Sequence, residues 1–213
     1  MSTHHEHGHP HTHPKQPDIE DTPFTEYQVM TQALEELLIA KGVFTADGMR
    51  QGVERMAAAS PADGARLVAR CWVDPAFEAR VLRSVNDAAV EFGLTPGPIP
   101  IHAVKNTPQV HNVIVCTLCS CYPATLLGGS PDWYKSRAYR SRVVREPRAV
   151  LEEFGTHLPD DVEVRVHDST AERRYVVIPM RPERTEGLSE AELAACVTRD
   201  CLIGTAVPRV PQV

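Results

Sequence analysis

Three cysteines crowd into the stretch VCTLCSCYP, residues 115–123: Cys116, Cys119 and Cys121. A closed structural zinc site usually draws on two CxxC pairs, or on one pair completed by histidines, and this chain has no second pair. The CxxC spacing from Cys116 to Cys119 could lower a thiol pKa and close a redox disulfide, but it leaves Cys121 unexplained. The spacing of Cys119, Ser120 and Cys121 has a different meaning. In an extended turn, sulfurs at i and i+2 lie on one side, with the main-chain nitrogens of Ser120 and Cys121 between them. Deprotonated, those nitrogens form a square with the two sulfurs, and Cys116 can add an axial sulfur. Backbone amides give up protons only to a strongly Lewis-acidic centre, which favours trivalent cobalt or iron over zinc. Three thiolates and two amidates carry more negative charge than a trivalent ion neutralises. The site therefore needs cationic or hydrogen-bonding neighbours, and a sixth position is left for water or substrate. Oxidation of two of the sulfurs would spread that charge and add oxygen acceptors.

The other three cysteines, Cys71, Cys196 and Cys201, lie in helical apolar surroundings and read as small buried hydrophobes. An even count clustered in this way does not resemble a secreted disulfide framework. With 213 residues and a net charge of −6, the chain can bury a core and shows no basic footprint for nucleic acid. No uncharged apolar run is long enough for a membrane span and no secretory start is visible, so a cytoplasmic protein with no membrane partner is expected.

Elements must position the cysteines. Residues 1–21 hold six of the ten histidines among prolines and polar residues, and are expected to form a disordered tail, solvated or loosely metal-collecting. Residues 22–94 read as a helical arm. Val29, Ala33, Leu34, Leu37 and Leu38 recur at helical spacing before Gly42, a second helix covers about 45–59, and Ser60–Pro61 and Asp74–Pro75 have cap-and-proline form. The last helix is expected to run unbroken to Gly93. Residues 95–213 form the metal-binding domain: strands at 102–104 and 113–115 lead into Cys116, and helices follow near 130–135 and 147–154. DVEVRVHD and RRYVVIPM read as two strands paired with each other, and a capping box at Ser189 and Glu192 opens a helix to about Arg199.

The cysteine stretch resembles the metal-binding segment of nitrile hydratase alpha subunits. The likeness continues through ARCWVDP, NTPQVHNVIV, WYKSRAYRSRVVREPR, AERRYVVIPMRPERTEG and VTRDCLIGTAVPRVP. It implies an α+β fold: a helical N-terminal arm, then a layered α/β/β/α catalytic domain with mixed sheets. It also implies one cobalt(III), or alternatively iron(III), held by Cys116 as axial thiolate, Cys119 as sulfinate, Cys121 as sulfenate and the nitrogens of Ser120 and Cys121. Thr117 goes with the cobalt type. Arg174 matches an arginine near the subunit interface, although an ordinary strand-surface ion pair would also explain it. The implied reaction is hydration of a nitrile to an amide, with the Cys121 sulfenate as nucleophile or as base for water. Implied partners are a beta subunit of one or two chains and a cobalt-insertion activator. Where many members carry Trp-Pro or Arg-Pro, this chain has Ala124 and Thr125. If these line the pocket, a lost indole wall makes room for a bulky or heteroaromatic nitrile, as in the toyocamycin nitrile hydratase branch. Thiocyanate hydrolase, with a related metal subunit, and a non-catalytic metal or thiol module are the rival expectations.

Overall fold

The computed structural model describes residues 25–211, so the histidine-rich stretch and positions 22–24 lie outside the described residues. The chain divides into two compact units, Met1–Met49 and Arg50–Val213. In the first, helix α1 (Glu26–Ala40) starts at a capping box. The Thr25 hydroxyl accepts from Gln28 N at 3.3 Å, and Gln28 Oε1 accepts from Thr25 N at 2.8 Å. Tyr27, Val29, Met30, Leu34 and Leu37 on α1 are all exposed. Helix α2 (Ala46–Ala58) runs across the junction of the units and buries no residue.

The second unit begins with α3 (Pro61–Val73), α4 (Pro75–Arg83) and α5 (Val85–Glu91), capped by Ser60, Asp74 and Ser84. Ser84 breaks the long helix expected from the sequence: it is extended at φ −156°, and its hydroxyl accepts from Asp87 N at 3.2 Å. Leu67, Val68, Phe77, Val81 and Val85 share one core with the strands. The boundary expected at residues 95–100 is therefore not where packing divides the chain, and α3 to α5 are not an arm. Their apolar faces are covered within their own unit.

The strands are β1 (Ile101–Lys105), β2 (Val110–Val115), β3 (Glu163–Asp168) and β4 (Arg174–Ile178). Between β2 and β3 lie α6 (Ala124–Leu127), α7 (Asp132–Lys135), α8 (Arg137–Arg142) and α9 (Pro147–Glu153). After β4 come α10 (Glu190–Ala195) and α11 (Arg199–Ile203). The α+β class stands, with helices packed around the strands. The expected pairing of β3 with β4 does not occur: β2 pairs with β3 and β1 with β4, and both ladders are parallel rather than mixed. Parallel neighbours need a long crossover, which α6 to α9 supply. Residues 169–173 are a step between sheets. Ser169 N still donates to Val115 O at 2.6 Å, while Arg174 N already donates to Pro100 O at 2.9 Å. Among the described residues no helix is long and apolar enough to cross a membrane.

A buried polar chain joins the two ladders. His167 Nε2 faces Asn112 Oδ1 at 2.8 Å, and Asn112 Nδ2 donates to Asn106 Oδ1 at 2.9 Å. Asn106 Nδ2 faces His111 Nδ1 at 3.3 Å, and His111 Nε2 faces Gly204 O at 2.7 Å. A carbonyl can only accept, so His111 donates through Nε2 and accepts through Nδ1, which makes it neutral. Gly204 has φ 91°, and a Cβ there would collide with the Asn112 carbonyl, so only glycine closes the chain here. Burial holds the pKa of both His111 and His167 below the ordinary value, Arg165 adding to the effect at His167. Lowered histidine values mean that the unfolded chain binds protons first. Stability is therefore fully present above the unfolded pKa of about 6.5 and is lost as pH falls below it. Urea unfolding of the metal-free chain at pH 7.5 and pH 5.5 tests this: a lower midpoint at pH 5.5 is expected, the drop being smaller in His111→Gln, whereas an equal midpoint would contradict the buried neutral His111.

Candidate metal centre

Strand β2 is buried along its last five residues and delivers Cys116 to the edge of the core at 1% exposure. From there the chain turns outward. Leu118 is 89% exposed, Cys119 is exposed and Cys121 is intermediate. Pro123 and α6 then return it to the core through Leu126 and Leu127. A single turn, anchored at both ends, thus presents one buried and two accessible sulfurs.

The Cys116 and Cys119 sulfurs are 3.4 Å apart, those of Cys119 and Cys121 are 3.2 Å apart, and all three lie within 4.8 Å of one another. With metal–sulfur bonds of about 2.3 Å, sulfurs at a right angle are separated by about 3.3 Å and sulfurs at a tetrahedral angle by about 3.8 Å. Both adjacent pairs match the right angle. The main-chain N–H groups of Ser120 and Cys121 lie against the Cys119 sulfur, and Cys119 N donates to Cys116 Sγ at 3.2 Å. The donor set fits a square or octahedral ion with amide nitrogens between sulfurs better than it fits tetrahedral zinc.

Hydrogen bonds from Cys121 and Cys116 stabilise the Cys119 thiolate and lower its pKa to about 7. At Cys121, burial and then the neighbouring Cys119 oppose ionisation, pushing it up to about 12, while Arg174 pulls the other way. The remaining cysteines behave as core. Burial raises Cys71 to about 12 and also raises Cys196 and Cys201.

Three side chains that the sequence reading passed over brace the turn. Asp168, at the end of β3, accepts from Thr117 N at 2.9 Å and from Thr117 Oγ1 at 2.6 Å. Arg140 of α8 donates to Thr117 O at 3.2 Å and to Lys135 O at 3.1 Å. Tyr134 of α7 donates to Cys121 O at 2.9 Å, and its ring stacks edge-on against Tyr122 at 5.1 Å. Tyr134 and Arg140 sit inside the stretch WYKSRAYRSRVVREPR, but nothing in it shows what they touch. Asp168 ends an alternating strand, and its partner becomes visible only with the parallel register that sets it opposite Val115.

Arg174 is half-buried beside Cys121 and has no carboxylate partner among the described residues, so the surface ion pair does not form. Ala124 packs half-buried against the core, and Thr125 is exposed with its hydroxyl donating to Pro96 O. The concavity of about 510 Å³ beside the turn is lined by Thr117, Leu118, Arg137, Arg140, Ser141 and Val144, not by Ala124 or Thr125. Because Asp168 fixes both polar groups of Thr117, Asp168→Ala should weaken cobalt retention about tenfold or more. Cobalt content after dialysis against a graded chelator series measures it, and retention equal to wild type would show that the brace is dispensable.

Residues 25–206 match the family model described as nitrile hydratase, alpha chain. The alpha subunit of the low-molecular-weight cobalt-containing nitrile hydratase of Rhodococcus rhodochrous is 45% identical over 193 residues, 87% of this chain and 91% of that protein. Thiocyanate hydrolase subunit gamma of Thiobacillus thioparus is 41% identical over 197 residues, 87% of this chain and 81% of that protein. Among solved structures, an iron-type nitrile hydratase from Comamonas testosteroni Ni1 superposes with a TM-score of 0.72 at 41% identity, covering 88% of this chain and 94% of that one. With its sulfur cluster shaped for a metal, the chain belongs to the nitrile hydratase alpha-chain family.

Proposed function

We propose that this chain is the metal-bearing subunit of an enzyme that hydrates a nitrile to its amide, with cobalt(III) held by Cys116, Cys119, Cys121 and the nitrogens of Ser120 and Cys121. The observation that carries the reading is the gathering of three sulfurs on one turn, with Cys119 3.4 Å from Cys116 and 3.2 Å from Cys121 and all three within 4.8 Å. When bound, the metal supplies Lewis acidity toward the nitrile nitrogen. The chain's own residues do the rest. Cys121, oxidised to the sulfenate, offers its oxygen to the nitrile carbon or to the water that attacks it. Arg174 offsets negative charge at Cys121, and Cys119 as sulfinate adds oxygen acceptors for cationic neighbours. Water adds across the carbon–nitrogen triple bond with no leaving group.

The site is open on this chain, with Leu118, Cys119 and Ser120 all exposed. A beta subunit, as one chain or two, would close it and exclude bulk water, and the uncovered apolar residues of α1 are suited to such a partner. An activator that inserts cobalt and a cytoplasmic location belong to the same reading. Thr117 is braced by Asp168 next to Cys116, and in the same reading Ala124 and Thr125 border the substrate pocket. One observation favours a second reading: the relative from Thiobacillus thioparus is a thiocyanate hydrolase subunit of comparable identity.

Coexpression with the partner subunit and cobalt, followed by assay on acetonitrile, benzonitrile and thiocyanate, separates the two. Amide from a nitrile without carbonyl sulfide from thiocyanate is expected, and the reverse establishes the second reading. Mass spectrometry of the same protein should find two added oxygens on Cys119 and one on Cys121. Unmodified thiols in an active complex would overturn the sulfenate's role.

A further inference from the structure

Helix α8 and the turn after it carry Arg137, Arg140, Ser141 and Val144 at helical positions i, i+3, i+4 and i+7, which form one face. Tyr139 and Val143 hold the other side of the helix in the core. With Thr117 and Leu118 from the tip of the metal turn, the outward face lines the concavity of about 510 Å³. The two walls touch where Arg140 donates to Thr117 O at 3.2 Å.

The charge of this surface opposes that of the chain. The protein carries a net charge of −6, yet Lys135, Arg137, Arg140 and Arg145 gather here, and none of them meets a carboxylate among the described residues. The acids nearby are already taken, because Glu146 and Glu153 both pair with Arg142. The same concavity exposes apolar side chains, Leu118 at 89% and Val144 at 46%. A free inorganic anion would satisfy the guanidinium groups but leave both apolar residues in water. A protein segment covers both kinds of group, and arginine beside exposed apolar side chains is the composition of an interface hot spot. The surface is also continuous with the open face of the metal turn, since Leu118, Cys119 and Ser120 are consecutive and all exposed.

We propose that this concavity is the docking site for an acidic segment of the subunit that closes the metal centre; this rests on the reading that a second chain completes the site. An Asp or Glu of the partner pairs with Arg137, whose planar fork suits a carboxylate. An apolar side chain next to that acid covers Leu118 and Val144.

The test uses the assembled, cobalt-loaded complex, with subunit dissociation followed on dilution. Arg137→Gln removes the charge and leaves Arg140 on Thr117 O. At low salt it should weaken association about tenfold, and at about 1 M salt, where the screening length falls to about 3 Å, most of the difference should vanish. Arg83→Gln, the same change of charge at an exposed residue of α4, should associate as wild type, with the same cobalt absorption in all three proteins. In Arg137→Lys, a zero-length carbodiimide, which joins an amine only to a carboxylate in contact with it, should link position 137 to an Asp or Glu of the partner. Equal association of Arg137→Gln and wild type, or links from position 137 only to carboxylates of this chain, overturns the inference. So does saturable binding of inorganic phosphate to the free chain that Arg137→Gln abolishes without weakening association. Association is read without turnover, so a complex that forms but hydrates no nitrile refutes the nitrile reading alone. A wild-type chain that binds no partner refutes the closing subunit and this inference with it.

Discussion

Thiolates repel one another, yet this turn holds three sulfurs at the separations that a single ion requires. The parallel pairing of β2 with β3 makes that possible. It buries β2 to its last residue, which fixes Cys116, and its register places Asp168 opposite Val115, where the carboxylate can seize Thr117 as the chain leaves the strand. Tyr134 and Arg140, carried by the crossover helices, bind the carbonyls of Cys121 and Thr117. The turn has no secondary structure of its own and is defined by groups from elsewhere in the fold, the arrangement expected of a metal site whose ligands are oriented by a surrounding layer of hydrogen bonds.

The cysteine spacing was fully legible before any fold was known, because a two-residue separation dictates which atoms face one side. Caps were legible too: Ser60, Asp74 and Ser189 all cap helices, since capping is a local hydrogen bond that nearby residues settle among themselves. Strand partners were not. DVEVRVHD and RRYVVIPM are close in sequence and alternate alike, and only the crossover geometry sends them to different sheets. Ser84 was passed over because one serine in an otherwise helical pattern looks tolerable until its hydroxyl caps a new helix. The extent of the helical arm was misjudged for the same reason as the strands. An amphipathic face reveals that it needs a cover, but not whether that cover lies on the same chain, as for α3 to α5.

The brace on the metal turn was the least legible part. Asp168, Tyr134 and Arg140 are far from the cysteines in sequence, and their residue types are common on surfaces and in cores alike. The hydrogen bond from the Thr125 hydroxyl to Pro96 O was equally out of reach of the sequence. Local spacing singled out the three cysteines that the fold gathers, while long-range topology chose the residues that brace them. The open face of the turn has a similar origin: Cys116 is buried, Cys121 half-buried and Cys119 exposed.

The central claim is that one turn supplies three sulfurs and two main-chain nitrogens to a trivalent ion. Cobalt X-ray absorption on the chain assembled with its partner measures this directly. The account predicts a low-spin trivalent edge, with three sulfur and two nitrogen neighbours in the first shell. A divalent edge with tetrahedral coordination and no amide nitrogen would contradict it.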